Sequence, residues 1–217
     1  MGWLKTVDQY FYGANNSIQN AGVQYLIDSV VTELTYHPEY KFSIVEMAFL
    51  YRWWKQASDV EKARLRKLVR EGQIEFLNAG WCASDEATIY YEDFIDQMTV
   101  GLRWLKETFN YVPEVAWHID PFGHQASTAS LFSRMGFNSL FFTRIDYQDK
   151  LERMRNQELE MIWRPFQYSN QESTYIFTHS QFRHYSPPEG CYFDSKLFYD
   201  VIIDDESLPT YDLKPRA

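Results

Sequence analysis

The stretch VAWHIDPFGH at residues 115–124 begins as an apolar strand and ends in two histidines and an aspartate around a Pro-Phe-Gly turn. Alternate residues of a strand share a face, so His118 and Asp120 point to the same side. Pro121 keeps the aspartate extended, and the glycine of the turn lets the chain bring His124 back. This pattern is typical of a metal site, of a nucleophile with hydrogen-bonded supports, or of an aspartate that only caps a turn.

Strand and helix patterns alternate on both sides of this stretch. The strand patterns are residues 41–46, 73–81, 115–120 and 139–146, and the amphipathic helix patterns are residues 17–34, 58–72, 90–109 and 127–137. Such alternation predicts right-handed crossovers and a parallel sheet covered by helices. We therefore expect an α/β fold, either a parallel β/α sheet or an irregular β/α barrel, in a single domain over residues 1–217.

Polar side chains follow each predicted strand. Sites in parallel sheets gather at the carboxyl ends of the strands, so these side chains are the candidates for a common site. They are Glu46, then Asn78, Trp81, Asp85 and Glu86, then His118, Asp120 and His124, then Arg144 and Asp146.

The charge and the aromatic content of the sequence favour some classes of function over others. The net charge of -9 and the pI near 5.0 argue against a nucleic-acid binder and against binding to an anionic membrane surface. The aromatic content of 18% suits sugar faces and protein interfaces as well as a core. Cys82 and Cys191 match no metal-binding spacing.

Four separated segments resemble one known family. They are AWHIDPFGH, RIDYQDK, GWLKTVDQYFYG and WCASDEA, and together they are similar to the class II α-mannosidases, glycoside hydrolase family 38. The resemblance implies part of an N-terminal β/α catalytic domain. It also implies a zinc-dependent enzyme that retains anomeric configuration, hydrolyses terminal α-linked mannose in N-glycan oligosaccharides and works in the lysosome.

The resemblance assigns roles residue by residue. Asp120 matches the family aspartate that is both catalytic nucleophile and zinc ligand. Trp3, Phe122, Arg144 and Tyr185 match residues that bind the substrate. His118 and His124 do not match zinc ligands and are expected to support the site.

Some family residues have no counterpart in this sequence. The His-Asp-Asp zinc motif of the family stands before the GW of GWLKTVDQYFYG, and only Met1 is found there. The other zinc histidine and the acid/base aspartate belong to segments beyond Ala217, and Asp85, Glu86 and Asp146 are only conjectural replacements. We therefore expect a truncated sheet without its first and later strands, whose partner is the remainder of the mannosidase polypeptide. Alone, this chain is expected to be inactive.

The sequence is also compatible with two other functions. One is a truncated, non-catalytic paralogue that binds glycans or another protein through Trp3, Phe122 and Arg144. The other is a metal hydrolase, such as a carbohydrate deacetylase, that uses His118, Asp120 and His124 as a metal triad.

Overall fold

The computed structural model describes residues 4–15, 17, 22–166 and 172–185. The chain divides into two compact units, Met1–Ser180 and Gln181–Ala217, which are considered separately. All of the helices and strands given below lie in the first unit. Trp3 lies outside the described residues.

The first unit is built of helices and strands, which alternate from its second strand onward. The helices are α1 (Val7–Tyr12), α2 (Val23–Tyr36), α3 (Met47–Gln56), α4 (Asp59–Arg70), α5 (Tyr91–Phe109), α6 (Ala126–Arg134) and α7 (Tyr147–Asn156), with a 3-10 turn at Glu172–Thr174. The strands are β1 (Phe42–Ile44), β2 (Ile74–Phe76), β3 (Val115–His118), β4 (Ser139–Phe142), β5 (Glu160–Trp163) and β6 (Ile176–Ser180). In the described ranges, no helix has both the length and the apolar character needed to cross a bilayer.

The strands form two small sheets. β1 and β2 pair in parallel, and the second sheet has the order β3-β4-β6-β5. The mixed α/β class is confirmed, but the expectation of purely parallel strands is wrong for β5, which pairs antiparallel with β6. Parallel neighbours need a long crossover, usually an α-helix, whereas the described part of the link between these strands holds only the 3-10 turn.

Local sequence signals explain where two predicted helices begin. Ser58 accepts a hydrogen bond from the amide of Glu61, whose side chain accepts from the amide of Ser58, so α4 starts with the predicted capping box. The helix pattern at residues 17–34 starts later than expected, because Gly22 is the extended N-cap of α2. Glycine is tolerated at a cap but costs stability inside a helix.

Two apolar clusters hold the unit together. The first packs α2, α3 and α4 against β1 and β2. The second packs Ala116, Leu140 and Ile176, one from each of three neighbouring strands, against Phe94 of α5 and Phe132 of α6. Burial of a large apolar side chain contributes roughly 1.5–3 kcal/mol, so the second cluster anchors the strands whose ends carry the candidate site.

A close approach of backbone to backbone fixes the loop after β2. A Cβ atom on Gly101, in α5, would lie 2.1 Å from the carbonyl oxygen of Ala79, so only glycine lets the helix come this near. Asn78 and Ala79 both adopt left-handed conformations, with φ of 56° and 58°. The amide of Asn78 donates to the carbonyl of Val115 at 2.7 Å and ties this loop to the start of β3.

Candidate active site

The carboxyl ends of β3 and β4 lie side by side. His118 is opposite Phe142 in the parallel register, so the residues that follow each strand emerge at the same edge of the sheet. There, Arg144 Nη2 donates to Asp120 Oδ1 at 2.9 Å, and both side chains are partly exposed. The structure thus places together two residues that the sequence assigns to one site: a carboxylate and the cation that holds it.

The turn after Asp120 faces open space. Phe122 is 63% exposed, and a Cβ atom on Gly123 would meet nothing within 4 Å. An exposed ring beside a carboxylate can contact the apolar face of a sugar. The position of Phe122 is compatible with its expected role as a substrate contact.

Behind the turn, Glu86 lies buried among the histidines. Its Oε1 is 2.9 Å from His118 Nδ1 and 3.4 Å from His124 Nδ1, and its Oε2 accepts from the amide of Gln125 at 2.5 Å. Burial alone would raise the pKa of Glu86, but the hydrogen bonds with His118 and the Gln125 amide, together with the nearby His124 ring, outweigh it and lower the pKa to about 2. Glu86 is therefore a carboxylate at neutral pH.

His124 connects this buried cluster to the ion pair. Its Nε2 lies 2.9 Å from the carbonyl oxygen of Arg144. A carbonyl can only accept, so Nε2 is the donor. The backbone of Arg144 is thus held by His124, while its guanidinium holds Asp120.

The segment after β4 is fixed at two further points. Lys150 Nζ donates to the carbonyl of Thr143 at 3.1 Å, and burial lowers the pKa of Lys150. Asp146 caps α7 by accepting from the amides of Gln148 and Asp149. The RIDYQDK motif therefore shapes the loop that presents Arg144.

The loop that carries Glu86 is tied down in the same way. Gln97 of α5 accepts from the amide of Cys82 and donates to the hydroxyl of Ser84. Glu46 accepts from the amide of Ala83 at 2.8 Å. Glu46 thus has a structural contact, which holds the loop after β2 against the N-terminus of α3.

The other conjectural carboxylates also have structural contacts. Asp85 accepts from the amide of Ala87, and Asp146 is a helix cap. Glu86 is 4% exposed and bonded on both oxygens, so it is not placed to protonate a leaving group. A retaining glycosidase needs a second carboxyl about 5 Å from the nucleophile.

Two expected substrate contacts lie outside the described part of the first unit. Trp3 lies outside the described residues, and Tyr185 belongs to the second unit, where its ring is 4.0 Å from that of His184. Trp81, another candidate, packs on Tyr51 of α3 with ring centroids 5.1 Å apart. Its contact is with the helix layer.

The positions of the possible ligand side chains show where a metal ion could bind. Among the described residues, Glu86, His118 and His124 form a group whose ligand atoms lie within 4.8 Å of one another, and no such group of three includes Asp120. A catalytic zinc needs about three protein ligands. The described residues therefore do not complete a zinc site at Asp120.

Sequence reasoning missed the role of Glu86. It placed Glu86 at a strand end and expected His118 and His124 only to support the site, without a partner for either. The available signal was that the SDEA segment follows one predicted strand and that the two histidines lie at and after the end of the next predicted strand along the chain, where a buried imidazole needs an acceptor.

Comparison with known proteins identifies the relatives of this chain. The family described as Glycosyl hydrolases family 38 N-terminal domain matches residues 1–216. The chain is 48% identical to lysosomal alpha-mannosidase of Bos taurus and 46% identical to that of Homo sapiens, over 99% of its length in each case. It is 49% identical to an alpha-mannosidase of Arabidopsis thaliana over its whole length. The chain spans only 22%, 21% and 21% of these relatives.

Solved structures show a similar fold. An alpha-mannosidase from Enterococcus faecalis matches 74% of this chain and 17% of its own length, with a TM-score of 0.57 and 17% identity. A 4-alpha-glucanotransferase from Thermococcus litoralis matches 71% of this chain and 22% of its own length, with a TM-score of 0.53 and 18% identity. At these identities the likeness concerns the fold alone. By the match of its family over residues 1–216, the chain belongs to the family 38 glycosyl hydrolases.

Proposed function

We propose that the chain is part of a retaining α-mannosidase that hydrolyses terminal α-linked mannose in N-glycan oligosaccharides. The observation that carries the proposal is the ion pair of Asp120 and Arg144 at the joined ends of β3 and β4, in a member of family 38. Relatives that bear the name alpha-mannosidase support the reaction class.

Asp120 is proposed as the nucleophile. Its carboxylate would attack the anomeric carbon, form a covalent glycosyl-enzyme and release the remainder of the glycan once an acid protonates the leaving oxygen. Arg144 orients this carboxylate through Oδ1, and Pro121 keeps Asp120 at the end of an extended segment. A water molecule would then release mannose with its configuration retained.

Aromatic side chains are proposed to bind the sugar. Phe122, exposed beside Asp120, is the member of this group that the structure describes next to the nucleophile. Trp3 and Tyr185 are proposed as further contacts from the family resemblance. A ring that stacks on a pyranose buries apolar C–H surface and leaves the sugar hydroxyls for polar partners.

Zinc dependence is proposed for the complete polypeptide. Asp120 would be one ligand, and the others would come from outside the described residues. When bound, zinc supplies electrostatic polarisation and orientation of the sugar hydroxyls. The partner of this chain is accordingly the remainder of the mannosidase polypeptide, and its proposed location, from the named relatives, is the lysosome.

The proposal is tested by replacing Asp120 in the complete polypeptide expressed from the gene. With 4-nitrophenyl α-mannoside as substrate, we expect Asp120→Asn to lower kcat by roughly 1,000-fold or more, because an amide is a poor nucleophile. The matched control is Asp96→Asn, an exposed carboxylate on α5 that should leave kcat unchanged. Full activity of Asp120→Asn, or an inactive wild type, would contradict the proposal.

The 217-residue chain alone is expected to be inactive in the same assay. Among the described residues, Asp120 is the one residue that matches a zinc ligand of the family and the family's acid/base aspartate has no match, so we expect these residues not to complete the reaction. Nitrophenol release above the blank, together with one bound zinc per chain, would overturn this expectation.

A further inference from the structure

We propose that Glu86 is a positioning residue, which clamps the two ends of the Asp120 turn and so sets the geometry of the nucleophile without touching the sugar. This inference rests on the proposed function of Asp120. It assigns a part in the reaction to a buried carboxylate that the family motif assignments left without one.

The clamp is visible in the contacts of the two carboxylate oxygens. Oε1 faces His118, two residues before Asp120, and Oε2 accepts from the amide of Gln125, five residues after it. The side chain of Gln125 also donates to the backbone carbonyl of Glu86. One residue therefore holds both ends of the turn that presents the nucleophile.

A second path runs from Glu86 to the cation of the site. Glu86 Oε1 lies 3.4 Å from His124 Nδ1, a contact that is an ion pair when the ring is protonated and is not a hydrogen bond, and Nε2 of that ring donates to the carbonyl of Arg144. Arg144 in turn holds Asp120. A shift of Glu86 would therefore move both the nucleophile and the group that orients it.

Burial makes the clamp rigid. The side chains of Glu86 and His118 are 3% and 1% exposed, and the His118 ring meets Phe132 of the core edge to face at 5.5 Å. A buried carboxylate is costly unless it is fully hydrogen-bonded, so it strongly favours the one arrangement that satisfies both oxygens.

The same three side chains form the group that could hold a metal, and the contact lengths favour direct hydrogen bonds. Ligand atoms on a tetrahedral zinc at about 2.0–2.1 Å lie about 3.3 Å apart. His118 Nδ1 and Glu86 Oε1 are 2.9 Å apart, the usual length of an N–H···O bond, and Oε2 is engaged by the Gln125 amide. A hydrogen-bonded network that orients the turn accounts for the contacts of the Glu86 carboxylate with His118 and with the Gln125 amide.

The test compares Glu86→Gln with wild type in the complete polypeptide. An amide offers one accepting oxygen instead of two, so it cannot satisfy both His118 and the Gln125 amide. We expect kcat for 4-nitrophenyl α-mannoside to fall at least about tenfold while KM changes less than about twofold, because Glu86 does not contact substrate. The matched control is Glu75→Gln, an exposed carboxylate on β2, which should match wild type. An unchanged kcat would overturn the proposal, and so would a KM that rises by the same factor by which kcat falls.

A second pair of variants separates the clamp from a metal site and from a folding defect. Asparagine can place its amide nitrogen where His118 Nδ1 lies, so His118→Asn should keep most of the activity, whereas His118→Leu should lose it. If the cluster instead held zinc, both variants and Glu86→Gln would lose a bound zinc ion by elemental analysis, and the clamp would be wrong.

Hydrogen exchange gives a readout that does not need activity. We expect amides in residues 118–125 and 144–146 to exchange at least about tenfold faster in Glu86→Gln, with no change in peptides elsewhere that exchange through local opening. Unchanged exchange would refute the clamp. An inactive wild type with the predicted exchange change would refute only the proposed function.

Discussion

Acid should remove a measurable part of the stability that Glu86 confers. Its pKa falls from the ordinary value of 4.5 to about 2 in the folded protein, and a tenfold change in proton affinity corresponds to about 1.4 kcal/mol. The ionised form therefore stabilises the fold by about 3 kcal/mol above the unfolded pKa. Because the folded pKa is the lower one, this contribution is lost as the pH falls from about 4.5 through about 2, with about 1 kcal/mol remaining near pH 3.

Glu86→Gln measures this contribution directly, because glutamine mimics the protonated acid and does not titrate. Urea unfolding of wild type and variant, followed by tryptophan fluorescence, should differ by about 3 kcal/mol near pH 7 and by about 1 kcal/mol near pH 3. Glu75→Gln, exposed on β2, should show no such difference. A gap between wild type and Glu86→Gln that does not shrink with acid, or no gap at neutral pH, would contradict a stabilising Glu86 carboxylate.

Two further substitutions test the structure around the site by thermal unfolding. Gly101→Ala would force its Cβ to 2.1 Å from the carbonyl oxygen of Ala79, so we expect a loss of at least about 2 kcal/mol, whereas Gly123→Ala meets nothing within 4 Å and should cost less than about 1 kcal/mol. Equal effects at the two glycines would show that the helix does not depend on that close approach. Ser58→Ala removes the side-chain half of the capping box of α4 and should cost about 1 kcal/mol, and a neutral result would contradict the cap.

The periodicity of the sequence predicted those helices and strands that are marked by alternating polarity or by a capping residue. The strand patterns at residues 41–46, 73–81, 115–120 and 139–146 each contain a strand, and the Ser58 cap begins a helix, because capping and alternation depend on neighbouring residues alone. The antiparallel β5 and the division into two sheets were not predicted, since strand pairing depends on contacts between residues far apart in sequence.

The sequence predicted the Asp120 motif of the candidate site but not the buried side chain that holds this motif in place. The pairing of Asp120 with Arg144 followed from the family assignment of residues at two adjacent strand ends. The part played by Glu86 did not follow, because it lies 32 residues before His118 and meets it only when the loop after β2 folds beneath the Asp120 turn. Nothing local in the SDEA segment distinguishes a buried acceptor from a solvated acid.

Covalent trapping identifies the nucleophile of a retaining glycosidase, which we propose to be Asp120 in this α-mannosidase. The complete polypeptide would be incubated with an activated fluoro-mannoside, in which a ring fluorine slows hydrolysis of the glycosyl-enzyme, and then digested and examined by mass spectrometry. We predict one mannosyl label per chain, carried by the peptide that contains Asp120 and absent from Asp120→Asn. An active enzyme whose label lies on another carboxylate would contradict the claim.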